Sequence, residues 1–63
     1  MRFEELEKII ISDGWFLKSQ KGSHRQYVHH WKKGKVTIPF HRGDLNIRTV
    51  KSILKQAGIE RKV

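Results

Sequence analysis

The sequence contains no cysteine. No disulfide and no thiolate metal site can staple it, so packing alone must hold the fold. Its longest apolar runs are three residues, Ile9 to Ile11 and Trp15 to Leu17. A membrane-spanning helix needs ~20 apolar residues, so no such span and no membrane association are expected. Met1-Arg2 leads into a Glu-rich amphipathic segment rather than the apolar stretch of a signal peptide. The expected compartment is the cytoplasm, which agrees with the absence of cysteine.

Carboxylates are also scarce. Between Asp13 and Glu60 the sole acidic residue is Asp44. Two-metal phosphodiester hydrolysis needs several converging ligands, usually carboxylates, and is not expected. Zinc needs three or four ligands from His, Cys or acid. His24, His29, His30 and His41 are present, but His29 and His30 are adjacent in a strand and project to opposite faces. No metal and no other cofactor are expected. Ser23 and His24 diverge in the same way, so they do not read as a nucleophile and its base. Gly22-Ser23 lacks the spacing of a phosphate-binding loop.

What is present is positive charge. Fourteen Lys and Arg oppose six Asp and Glu, for a net charge of +8 over 63 residues. Residues 1–14 hold two basic residues against four acidic ones, net −2, whereas residues 15–63 hold twelve against two, net +10. Such a field favours polyanions, with nucleic acid first among them. An acidic protein or an anionic membrane surface would answer the same charge.

The length supports one domain over residues 1–63, since a chain this small buries only ~60% of its unfolded surface and has no core for a second. Phe3, Leu6, Ile9 and Ile10 form one stripe and predict a helix over 3–12, ended by Asp13-Gly14. Trp15 to Gln20 reads as a strand, with Trp15 and Leu17 on one face and Phe16 and Lys18 on the other. After a Lys21-Gly22 turn, Ser23 to His30 reads as a second strand. Arg25, Tyr27 and His29 point one way; His24, Gln26, Val28 and His30 point the other. Lys35 to Pro39 reads as a third, with Pro39 at a strand end or sheet edge. Phe40 to Leu45 is a loop. Asn46 is the expected N-cap of a second helix from Ile47 to Ala57, stopped by Gly58. Its buried stripe is Ile47, Val50, Ile53, Leu54 and Ala57. The class is α+β: a two-layer α-β-β-β-α domain with a three-stranded antiparallel sheet, two helices on one face and the other face left open.

Chemistry then rests on histidine in a basic surface. A histidine exchanges protons near neutral pH, and RNA supplies its own nucleophile, the 2′-hydroxyl. His24 follows a Gly-Ser turn at the mouth of a strand, where a side chain is ordered yet reachable. It is the candidate catalytic residue; its plainer role is phosphate binding. Lys21, Ser23 and Arg25 beside it are candidate RNA contacts. Arg48, Lys51 and Lys55 form a basic ridge on the second helix, away from its apolar stripe, and are further RNA contacts or an ordinary solvated face. His41 is a possible second proton carrier. Lys32, Lys33 and Lys35 read as solubilising charges on a turn. Trp15, Tyr27, Phe3 and Leu17 read as core; Phe16 and Trp31, if exposed, could stack on bases or anchor a protein.

Four segments carry a resemblance. Gly14-Trp15, then Lys21-Gly22-Ser23-His24 with Tyr27 and His29, then Val36-Thr37-Ile38-Pro39 with His41, then Ile53 through Ile59 resemble, in order, the pattern of HicA-type toxins. The likeness spans about residues 3–59. It implies a fold like that of double-stranded-RNA-binding domains. It further implies an mRNA interferase, a ribosome-independent endoribonuclease of a type II toxin–antitoxin system, with His24 as its catalytic histidine; the scarcity of metal ligands makes the expected cleavage metal-independent. The implied partners are mRNA and a HicB-type antitoxin covering the active surface. The alternative is a non-catalytic module that binds double-stranded RNA through the same basic surface.

Overall fold

The computed structural model describes residues 1–40 and 42–59; His41 and the last four residues lie outside the described set. Helix α1 forms over Phe3–Ser12, with Phe3, Leu6 and Ile10 buried. Its N-terminus is closed by the Glu5 carboxylate, which accepts from the Arg2 N–H at 3.1 Å. Three strands follow: β1, Trp15–Lys21; β2, His24–His29; and β3, Val36–Pro39. They form an antiparallel sheet in the order β1-β2-β3. Helix α2, Ile47–Gln56, closes the chain of elements, and the Asn46 side chain accepts from the Arg48 N–H at 2.8 Å. The predicted order and class are thus observed: α+β, a three-stranded antiparallel sheet and two helices.

Both helices pack on one sheet face. Phe3, Leu6 and Ile10 of α1 and Val50, Ile53 and Leu54 of α2 join Trp15, Tyr27, Val36 and Ile38 in a single core. Among the described residues no helix lies on the opposite face. By register it carries Phe16, Ser19 and Lys21 of β1, His24, Gln26 and Val28 of β2, and Thr37 and Pro39 of β3.

Two apolar residues assigned to the core are exposed. Leu17 is 46% exposed. It faces the helix side beside Tyr27, but it sits on an edge strand where the register breaks. Ile47 is 49% exposed, because it is the first residue of α2 and the helix becomes buried only from Val50 onward. Leu45 fills that end of the core from the preceding loop. Its N–H donates to the Met1 carbonyl at 2.7 Å, and Arg2 bridges to Asp44 alongside.

Polar contacts fix the helices to the sheet. The Glu7 carboxylate of α1 accepts from the Tyr27 hydroxyl and from Arg25 Nη1, the latter at 3.2 Å. Burial, and then the Glu7 carboxylate, push the Tyr27 phenol far above its usual range, so its hydroxyl stays a donor. At the other end, Asp13 Oδ2 accepts from Lys32 Nζ at 2.5 Å and from Trp15 Nε1 at 3.2 Å. Lys32 Nζ also donates to the carbonyls of Ala57 at 3.1 Å and Gly58 at 3.4 Å, which end α2. Lys32 is therefore a structural cap and not a solubilising charge.

His29 completes this corner. Its Nδ1 accepts from the N–H groups of Trp31 and Lys32, at 3.2 and 3.3 Å. The ring proton must then sit on Nε2, which donates to the Asp13 carbonyl at 2.6 Å. Both nitrogens are engaged, so His29 has no lone pair free for a metal. The ring also explains Gly14. A Cβ there would lie 2.6 Å from His29 Nε2, and φ is +106°. Both facts require glycine.

Lys32 holds the Asp13 carboxyl below its usual pKa, despite partial burial acting the other way. A depressed carboxylate pKa stabilises the fold above the unfolded value, and that contribution is lost as pH falls through the folded one. Wild-type stability should therefore drop on acidification below about pH 4–5. Asp13→Asn should be less stable at neutral pH and show a shallower acid decline. Urea denaturation across pH 2–7 for both proteins checks this.

Candidate functional site

The β1–β2 hairpin builds the site. Lys21 and His24 are paired across it, leaving Gly22 and Ser23 as the two-residue loop. Gly22 has φ +61° with open space where a Cβ would go. Glycine is needed there for backbone conformation, in the pattern of a type II′ hairpin. Gln20 Nε2 donates to the Gly22 carbonyl at 3.2 Å, and the Phe40 N–H donates to the Ser23 carbonyl at 2.5 Å. The loop is thus held from both sides, and His24 is presented, exposed, at the first position of β2.

Lys21 shares the face of His24 only because β1 is irregular. Strict alternation from Trp15 would turn Lys21 toward the helices. The register shifts between Leu17, opposite Tyr27, and Ser19, opposite Gln26, with Lys18 as the extra residue. This bulge inverts the remainder of the strand. Ser19 and Lys21 therefore lie on the open face beside Gln26 and His24.

Arg25 is not brought to this site. It pairs with Ile38 on the helix-covered face. Its guanidinium is ion-paired with Glu7 and lies over the rings of Phe3 and Phe40, at 5.0 and 4.9 Å. Its Nε is buried without a partner among the described residues. Arg48, Lys51 and Lys55 are exposed on α2, on the helix layer, while His24 looks out from the opposite side of the sheet. They form the expected ridge, but the sheet separates that ridge from His24. His41 lies outside the described residues.

Charge follows from how the carboxylates are engaged. Glu4 pairs with Arg2, Glu5 caps α1, Glu7 binds Arg25 and Tyr27, Asp13 binds Lys32, and Asp44 lies 4.0 Å from the N-terminal amine. Among the described residues the open sheet face carries no carboxylate. Lys18, Lys21, Arg48, Lys51 and Lys55 have no carboxylate partner among the described residues. The surface is consequently an anion-attracting one. Among the described residues no cluster of three or more His, Asp or Glu is arranged to hold a metal.

The family model described as the HicA toxin of bacterial toxin-antitoxin matches residues 3–59. The chain belongs to the HicA toxin family. No curated protein matches it. Membership makes it the toxin of a bacterial toxin–antitoxin system, a class that works against an antitoxin partner. In this HicA-family toxin no described helix is long and apolar enough to cross a membrane.

The structure gives Lys32 and Glu7 roles that the sequence did not announce. They hold partners across 19 to 26 and 18 to 20 positions, respectively, and no local spacing signals such contacts. Phe16 and Trp31 are exposed, at 41% and 75%. Phe16 lies on the open face, and Trp31 packs edge-on against His29 at 4.3 Å.

The different settings of His24 and Arg25 give opposite expectations for stability. His24→Ala removes an exposed side chain and should leave the free energy of unfolding in urea within ~0.5 kcal/mol of wild type. Arg25→Ala strips a charge-assisted bond from Glu7 and should destabilise by about 1.5–3 kcal/mol. Paired denaturation curves decide this.

Proposed function

We propose that this toxin is a metal-independent endoribonuclease that cleaves mRNA, with His24 as its proton-transfer residue. The observation that carries the reading is an exposed His24 at the hairpin mouth, beside Lys21 on a sheet face without a carboxylate. In this mechanism His24 takes the proton of a 2′-hydroxyl. The freed oxygen attacks the adjacent phosphorus and the 5′-oxygen leaves, taking a proton from water, which gives a 2′,3′-cyclic phosphate and a 5′-hydroxyl. Alternatively His24 donates the proton that the leaving oxygen collects. Lys21, with the polar Ser23 turn, stabilises the charge on the phosphorane. Arg48, Lys51 and Lys55 hold flanking phosphates on the helix side. Arg25 acts through the fold, as the anchor of Glu7, and not through the phosphate. His41 is the candidate for a second proton carrier. The site works in the cytoplasm, and a HicB-type antitoxin neutralises it by covering the active surface.

One observation favours the non-catalytic alternative, a double-stranded-RNA-binding module. Among the described residues nothing hydrogen-bonds the His24 ring to orient it, as a general base is usually oriented.

Incubation of a long single-stranded RNA with wild type and His24→Ala in excess EDTA separates the two. A single acid–base histidine contributes ~10²–10⁴-fold, so the variant should be slower by that factor. Equal cleavage by both would displace His24. Binding without cleavage by either would establish the binding module. RNA affinity should also depend on salt. For about four to six phosphate contacts on a single strand, log K should fall against log salt with a slope of about −3 to −4. A flat response in a filter-binding titration would remove the electrostatic basis of the reading.

A further inference from the structure

Phe16 and His30 take no part in the chemistry described above. Phe16 lies on the uncovered sheet face, opposite Val28, with 41% of its surface exposed. Its ring sits 4.8 Å from the exposed His30 ring, at an interplanar angle of 33°. At that separation the two rings stack on one another with an offset, making a small exposed aromatic pair onto which a further flat ring can stack. It is continuous with the rest of that face, where Ser19, Gln26 and Thr37 offer hydrogen-bonding groups and Lys21 and His24 lie at the far end. Val28 is four residues from His24 along β2, or about 13 Å at ~3.3 Å per residue. A group seated at Phe16 would therefore flank the phosphate at His24 and not contain it.

The charge of the face selects the occupant. Among the described residues it has a cation and no carboxylate, which suits a polyanion carrying flat, unpaired rings. A symmetric contact with a second copy would bring like-charged faces together. A duplex keeps its base faces stacked inside the helix and cannot use the platform.

We propose that the Phe16–His30 pair is a base-stacking platform for single-stranded RNA, seating a base about 13 Å along the face from the phosphate held by Lys21 and His24. This rests on the ribonuclease reading and narrows its substrate to unpaired RNA. Stacking on an aromatic side chain tolerates any base, so the platform adds affinity without imposing a sequence.

The test uses a 2′-O-methylated single-stranded oligonucleotide, which cannot be cleaved, and a chain of equal length and charge whose bases are replaced by abasic sugars. Phe16→Ala should weaken binding to the first by about 5- to 150-fold and leave the second unchanged. Phe16→Trp should bind the first as well as wild type. The thermal midpoints of both variants should match wild type, since Phe16 lies off the core. Equal affinity of Phe16→Ala and wild type for the base-bearing chain overturns the proposal, as does an equal loss on both chains. Loss of self-association by sedimentation, with RNA affinity unchanged, assigns the face to a second copy and also overturns it. The underlying reading fails separately. If wild type binds neither chain at low salt, both fall; if it cleaves RNA and Phe16→Ala binds normally, only the platform does.

Discussion

Three stretches of the chain distant in sequence meet around one carboxylate. Asp13 ends α1, and its Oδ2 accepts from Trp15 at the start of β1 and from Lys32 after β2. Both donors also reach the Ala57 carbonyl at the end of α2. The Asp13 carbonyl receives the His29 ring as well. Charged hydrogen bonds in a partly buried setting are worth about 1.5–3 kcal/mol each, which matters in a 63-residue chain with no cross-link. Their geometric effect is larger than any single energy. Both helix C-termini are fixed at one corner of the sheet, so both helices must lie on the same face. The second face stays bare because the first is fully claimed.

The positive surface arises by the same logic. The described carboxylates are all engaged within the fold, in caps, in the Glu7 and Asp13 clusters, or beside the N-terminal amine. Each described carboxylate thus has a partner within the fold, and Lys18, Lys21, Arg48, Lys51 and Lys55 are left without a carboxylate among the described residues. A toxin of this size needs no dedicated basic appendage. Its anion-attracting surface is what remains after the acids have done structural work.

Much of this was legible in the sequence. Helical spacing, Gly14, Asn46 and Gly58 placed both helices to within a residue, because those signals are local. The alternation through β2 already set Arg25 beside Tyr27 and His29 and apart from His24; chain adjacency alone had joined Arg25 to the site. Leu17 and Ile47 misled because an apolar residue at the right spacing is buried only where a neighbouring element reaches it. Lys32 gave no local sign of its role, since its partners lie 19 to 26 positions away. The exposure of His24 was readable from the Gly-Ser turn, whereas the alignment of Lys21 with it depended on a bulge that no composition rule marks.

That bulge has an evolutionary corollary. In a paired strand, chain length and facing are coupled, so gaining or losing one residue turns every later side chain over. Around Lys18 the coupling is relaxed, because Leu17 and Ser19 already oppose consecutive residues of β2. A deletion there would join two correctly facing half-strands and sacrifice only local twist. The same deletion one turn further along, at Lys21, would remove the cation facing His24. Within the hairpin, position 18 is where the length of this sequence can drift while the two faces keep their separate identities.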